Sequence, residues 1–227
     1  MASFLPCEIM YNEEVLPARY LYAVATHPDY RGRSLAKLLV SHAMEELSDV
    51  FAVVTVPAGE SLHRYYASQG FAPFSDICRS EIAASELAQL QGNAVFVDAA
   101  ELNSAQNFAQ NAGHIMVTWP ENALAFQIDG AARAGGGALL LTCKKGRAWV
   151  LAERYEEAAK LTVVAADGLT IDETAALAHN LLGAEKYIIA APPKGDAPSV
   201  PHSMIKWLLP SPGFAAEKVA YCPLAME

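Results

Sequence analysis

Arg31, Gly32 and Arg33 form the one short stretch of this chain whose residue types and neighbours suit anion chemistry. Upstream, Tyr20 to Thr26 (YLYAVAT) is β-rich and apolar on both faces, the pattern of a strand inside a sheet. Pro28 to Arg33 breaks it. Downstream, Leu35, Leu38, Leu39, Ala43, Glu46 and Leu47 follow helical spacing, and all but Glu46 are apolar. A strand end that turns tightly into a helix start aims free backbone N–H groups at one point. The positive end of the helix dipole points the same way. Arg31 and Arg33 add charge, and Gly32 lets a ligand approach the backbone closely. A pyrophosphate suits such a site.

The segment Ala23 to Leu39, AVATHPDYRGRSLAKLL, resembles motif A of the GNAT superfamily of acyl-CoA N-acyltransferases, V-x-P-x-x-R-G-x-G-x-G/A. Thr26 to Ala36 lays onto that pattern, with Ser34 where the family usually has Gly. Leu62 to Phe71, LHRYYASQGF, resembles the end of motif B, Y-x-x-x-G-F. The preceding LPCEI and LPARYLYAVAT resemble the strands ahead of motif A in a tandem-GNAT group of bacterial acetyltransferases. The resemblance implies acetyl-CoA as co-substrate and no metal. It implies that backbone N–H groups of Val24, Ala25 and Thr26 hold the pantetheine arm and polarise the thioester carbonyl. Arg31, Gly32, Arg33, Ser34, Leu35 and Ala36 would hold the pyrophosphate. Tyr66, four residues before Gly70, would protonate the departing CoA thiolate. A phenol of pKa ~10 carries that proton at neutral pH.

Elements must place these residues. Phe4 to Tyr11 reads as a strand, and Asn12-Glu13-Glu14 as a turn. Phe51 to Val56 (FAVVTV) reads as a buried strand, Ser61 to Gln69 as a helix stopped by Gly70, and Phe71 to Ile82 as one or two strands. Beyond Gly92, strands are expected at Ala94 to Val97, His114 to Trp119, Ala123 to Ile128, Ala138 to Thr142, Arg147 to Ala152, Leu161 to Ala166 and Tyr187 to Ala191. Helices are expected at Ala99 to Ala112 and Thr170 to Leu182, the second with a Thr170–Glu173 capping box. Pro201 to Leu208 reads as a Pro-preceded helical turn. Strand, helix, strand, then Pro and Gly occurs twice, from Val24 and from Val163, and only the first copy has an Arg-Gly turn. The fold expected is α/β (α+β): two GNAT-like mixed-sheet halves in tandem, with the acyl-CoA site in the first only. Residues 1–92 would form a partial GNAT domain with the acyl-CoA motif. Residues 93–227 would form a second GNAT-like domain without a phosphate motif.

The strand, two helices and much of a second strand that a GNAT domain carries ahead of its LPCEI-like strand have no counterpart before Met1. Either the sequence is a truncated form, or the acceptor side is open, or another protomer of a homo-oligomer covers it. Composition limits the partners. Hydrophobic residues make up 53% of 227 residues and charged ones 18%, enough to bury a core. A formal net charge of -9 argues against nucleic acid and anionic membranes. Cys7, Cys78, Cys143 and Cys222 are dispersed without a CxxC pair, the usage of free thiols in a reducing cytosol rather than of a zinc site. No apolar run is long enough to span a bilayer, and the N-terminus lacks a basic leader, so a cytoplasmic protein is expected.

Three functions compete. The first is an N-acetyltransferase acting on a small-molecule or peptide primary amine. The second is a non-catalytic CoA-binding or protein-interaction module of GNAT-like fold, suggested by Ser34 and the missing acceptor walls. The third is a hydrophobic-ligand site in the C-terminal part, suggested by Trp119, Trp149 and Trp207. Glu8, His63 and His202 are weaker site candidates, each with a packing or surface role as the plainer reading.

Overall fold

The computed structural model describes residues 1–11, 14–111, 115–194, 197–211 and 220–224. Its chain starts with an antiparallel hairpin, β1 (Ser3–Tyr11) and β2 (Glu14–Tyr22), with Ile9 opposite Leu16 and Cys7 opposite Ala18. Alternation places Cys7 and Ile9 in the core and leaves Glu8 exposed. Helix α1 (Leu35–Glu45) then crosses to β3 (Ala52–Thr55), which lies parallel to β2. All four residues of β3 are buried, because helices or core cover both of its faces. Helix α2 (Glu60–Ala67) leads to β4 (Ala72–Ala83), a single strand of 12 residues where one or two were expected.

The rest of the chain contributes β5 (Asn93–Phe96), α3 (Ala99–Asn111), β6 (Ile115–Thr118), α4 (Glu121–Arg133), β7 (Gly137–Cys143), β8 (Gly146–Tyr155) and β9 (Ala158–Asp167). It ends with α5 (Ile171–Leu182), β10 (Lys186–Ala191), β11 (Val200–Trp207) and β12 (Ala220–Tyr221). The predicted capping box closes α5: Thr170 accepts from the Glu173 N–H, and Glu173 accepts from the Thr170 N–H. Gly183, in the left-handed region at φ 60, ends that helix.

Strands join in the order β12-β6-β1-β2-β3-β11-β4-β10-β9-β8-β7-β5. The order crosses the middle of the sequence. β11 slots between β3 and β4, and β6 pairs with β1. β4 is long because it serves both parts: Ala72 to Ile77 meet β11, and Cys78 to Ala83 meet β10. Two parallel pairs repeat one construction, β2–α1–β3 and β9–α5–β10. The result is a mixed α/β fold with five α-helices among the described residues.

Two expectations are corrected. Ala123 to Ile128 is not a strand but the middle of α4, which buries Leu124 and Ala131 and leaves Phe126 70% exposed. Pro201 to Leu208 is not a helical turn but strand β11, whose His202, Ser203, Met204 and Ile205 are buried. Asn12 and Glu13 of the expected turn, and Ala112 and His114 at expected element ends, lie outside the described residues.

Candidate functional site

The site starts where two parallel strands part. β2 and β3 share only the pairs Ala18–Ala52, Arg19–Val53 and Tyr20–Val54. At Ala23 the chain takes φ 54, a left-handed kink of the kind that ends a ladder. β2 then runs out beside the N-terminus instead: Ala25 N–H donates to the Met1 carbonyl at 2.9 Å, and the Met1 ammonium donates to the Ala25 carbonyl at 2.8 Å. A fork is left between Val24 to Thr26 on one arm and the end of β3 on the other.

The predicted anion residues lie just beyond the first arm. A single 3₁₀ turn, Pro28–Tyr30, reverses the chain. Arg31 Nε donates to the Thr26 carbonyl at 3.2 Å, which ties the turn back to the strand end. The Arg33 guanidinium lies over the Tyr30 ring, 5.4 Å from its centroid. Gly32, at φ 76, has open space where a side chain would stand. Ser34 precedes α1 at φ 56 and ψ 19, and its hydroxyl makes no cap hydrogen bond. The first N–H groups of α1 are therefore left uncapped by the Ser34 side chain. Ala25, Thr26, Leu35 and Ala36 line a cavity of about 220 Å³ together with Met1, His27, Tyr30 and Leu39.

Tyr66 approaches the fork from below. α2 packs its one buried residue, Tyr66, against Leu21, Val53, Phe71 and Met204, with Val24 and Tyr65 at the margin of the same cluster. Tyr66 and Val24 thus share one apolar cluster. The Tyr66 ring stands edge-on to Phe71 at 5.4 Å and to Tyr65 at 5.2 Å. Thr55, the last residue of β3, donates its hydroxyl to the Leu21 carbonyl at 3.2 Å. Burial holds the Tyr66 phenol above its ordinary pKa. A proton donor at neutral pH is the outcome. Tyr65 is likewise raised by burial, and its buried hydroxyl has no hydrogen-bond partner.

Thr55 did not stand out in the sequence. In FAVVTV it reads as one more β-branched strand residue, and its only signal is being the sole hydroxyl in an apolar run. The weaker candidates separate from the fork. Glu8 is exposed on β1, opposite Thr118 of β6. His63 is half-buried on α2. His202 is buried and bonds the Cys222 carbonyl through Nε2 at 3.2 Å. The three tryptophans pack in the core. Trp119 stands edge-on to Tyr20, Trp149 donates to Glu101, and Trp207 packs at the core margin. A cavity of about 480 Å³ beside the N-terminus of α5 is lined by Phe108, Val163 to Ala166 and Tyr221, and by none of the tryptophans. Among the described residues no group of His, Cys, Asp or Glu could hold a metal ion, and no helix is long and apolar enough to cross a membrane.

Comparison with known proteins gives this geometry its context. Residues 1–74 match the family model of the acetyltransferase (GNAT) domain. No curated protein sequence matches the chain. Among solved structures, the GCN5-related N-acetyltransferase from Kribbella flavida is 16% identical at a TM-score of 0.62, over 91% of this chain and 56% of that one. A conserved protein from Enterococcus faecalis V583 is 14% identical at a TM-score of 0.65, over 91% and 58%. The GCN5-related N-acetyltransferase from Anabaena variabilis ATCC 29413 is 16% identical at a TM-score of 0.61, over 90% and 58%. The chain therefore spans 56% to 58% of the length of these structures. Residues 1–74 are thus similar to the GNAT acetyltransferase domain, and over 90% to 91% of its length the chain shares the fold of these solved structures.

Proposed function

We propose that the chain is an N-acetyltransferase that moves an acetyl group from acetyl-CoA to a primary amine. One observation carries the reading: the β2/β3 fork has an uncapped helix start and two arginines at its mouth, and a protonated phenol at its throat. The turn from Arg31 to Ala36 takes the pyrophosphate. The arm from Val24 to Thr26 takes the pantetheine by backbone hydrogen bonds, as an added strand would. The amine attacks the thioester carbonyl, the C–S bond breaks, the Tyr66 proton passes to the leaving thiolate, and the proton shed by the new amide nitrogen goes to solvent, from which Tyr66 is reprotonated. Such proton donation is worth about 10²–10⁴ in rate. We place the acyl-CoA site in the first of two tandem GNAT-like units, residues 1–92, with residues 93–227 as the second. The second unit's α5 begins with its own Thr170–Glu173 cap, which already occupies N–H groups a phosphate would use.

A second reading is a CoA-binding or protein-interaction module without turnover. Its support is Tyr66, which is a buried residue of the apolar cluster between α2 and the sheet. Thiol release from acetyl-CoA over a panel of amines and peptides separates the two. Turnover that drops about 10²-fold or more in Tyr66→Phe supports the enzyme. Calorimetric CoA binding without turnover on any acceptor supports the module, and no CoA binding at all removes the enzyme and leaves only the protein-interaction form of the module.

A further inference from the structure

The parallel β9–α5–β10 construction has a fork of its own. Its ladder ends at Thr162–Ala190. Beyond that pair lies the cavity of about 480 Å³, lined by Val163 to Ala166 on one arm and by Ala191, Pro192 and Pro193 on the other. Its volume falls within the ~300–1,000 Å³ of small-molecule sites. The chemistry of its lining differs from that of the first fork. Its only charged lining residues are Asp172 and Lys194, of opposite sign. The start of α5 is already occupied: Thr170 accepts from the Glu173 N–H at 3.2 Å, and the Glu173 carboxylate accepts from the Thr170 N–H at 3.0 Å. The other hydroxyls of the lining are engaged too. Thr174 donates to the Thr170 carbonyl at 2.8 Å, and Tyr221 donates to the carbonyl of Val163, the first residue past the ladder. Pro192 and Pro193 have no N–H to offer. The side chains left to meet a guest are hydrocarbon, aromatic rings and the Cys78 thiol, a weak donor.

We propose that this second fork binds a neutral, apolar small molecule, at a site separate from the β2/β3 fork. A guest that needs hydrogen bonds gives up those it made to water and finds the hydroxyls of Thr170, Thr174 and Tyr221 already used. A hydrocarbon or aromatic guest loses none and gains burial against Phe108, Val163 and the Tyr221 ring. A phosphate at α5 has to displace the Glu173 carboxylate from the Thr170 N–H, with Asp172 beside it. The two forks thus divide by chemistry: the first has arginines and an uncapped helix start, and the second has a capped helix start and a dry lining. The hydrophobic-ligand reading of the C-terminal part belongs to this fork and not to the tryptophans, which line none of it.

The probe is N-phenyl-1-naphthylamine, which is neutral and fluoresces in apolar surroundings. It binds the wild type saturably. Ala166 is exposed in the lining, and Ala166→Trp puts a large ring into the space the probe would take. That variant weakens the probe about 10-fold or more, the share of affinity that burying one ring supplies. Ala132→Trp, exposed on α4 and outside the cavity, leaves binding unchanged. Acetyl-CoA at about 1 mM, where even a weak site fills, does not displace the probe. The absence of saturable binding overturns the proposal. So does binding that Ala166→Trp leaves intact, and so does displacement by acetyl-CoA, which would put the probe in the site of the co-substrate. If Ala166→Trp does not fold, Ala197→Trp, also exposed in the lining, replaces it under the same criteria. The readout involves no turnover, so a chain that never transfers an acetyl group leaves this result to be judged by itself.

Discussion

Ser34 offers a prediction with a definite sign. It stands at φ 56 and ψ 19, left-handed, directly before α1. An L-residue pays about 1–2 kcal/mol there that glycine does not. Ser34→Gly recovers that cost but frees the unfolded chain, which takes back about 0.4–1 kcal/mol. The hydroxyl makes no cap hydrogen bond, so its removal loses none. The balance favours glycine by about 0–1.6 kcal/mol, with a centre near 0.8. For a chain of this size that raises Tm by about 2–3 °C. Ser34→Ala keeps both the Cβ and the strain and stays within about 0.5 kcal/mol of wild type. Ser34→Val, β-branched at positive φ, loses about 1–3 kcal/mol. Calorimetric titration with CoA runs beside the melts, and Ser34→Gly binds at least as tightly, because the side chain no longer narrows the mouth of the fork. A Ser34→Gly protein that melts below wild type refutes the reasoning, since it would mean the serine side chain supports the turn.

Other outcomes follow from single contacts. Gln106 is 1% exposed and clamps the Trp119 backbone twice, accepting from its N–H at 2.9 Å and donating to its carbonyl at 3.1 Å. Gln106→Ala strands both buried groups and costs about 2–4 kcal/mol in urea unfolding; a loss below ~1 kcal/mol would mean the groups find new partners. Burial pushes the Cys222 thiol up to about 12, and burial with the neighbouring Cys222 pushes Cys7 higher still. The unfolded chain sheds these protons first, so stability falls from the ordinary thiol range up to the raised folded values. The slope is about 1.4 kcal/mol per pH unit for each thiol. Cys222→Ala removes one such contribution from the slope of unfolding free energy against pH, and an unaltered slope contradicts the assignment.

Local pattern carried much of this fold and missed where local pattern is degenerate. The Thr170–Glu173 box, the stop at Gly70 and the buried FAVVTV run each depend on neighbours within a few residues, and each is found in place. Ala123 to Ile128 was ambiguous because a short apolar run fits a strand or a buried helix face. Only the burial of Leu124 and Ala131, seven residues apart, shows the helical period. Pro201 argued against a strand because proline cannot donate to a ladder, yet it sits where the β4–β11 register shifts and no regular bond is required. The insertion of β11 between β3 and β4 depends on contacts more than a hundred residues apart, which no local period encodes. At the fork, the Arg-Gly turn was legible as charge and punctuation. Thr55 was not, since its buried hydroxyl is accounted for by the Leu21 carbonyl, distant in sequence.

Backbone strain marks the same segment that charge and motif mark. Among the described residues, three that are not glycine have positive φ: Ala23, Ser34 and Glu156. Glu156 lies in the tight turn between β8 and β9, where such a conformation comes with the hairpin. Ala23 and Ser34 have no hairpin to explain them. They sit at the two ends of Val24 to Arg33, and each costs about 1–2 kcal/mol that a glycine would avoid. Ala23 turns β2 away from β3, and Ser34 turns the chain into α1. Together they set how wide the fork opens and where the helix start points. Strain kept at both ends of one short segment is better explained by what that segment must hold than by the stability of the fold. If so, glycine at both positions relaxes the chain without closing the fork. Ala23→Gly with Ser34→Gly then melts no lower than wild type and still binds CoA, whereas valine at either position loses stability and CoA binding together.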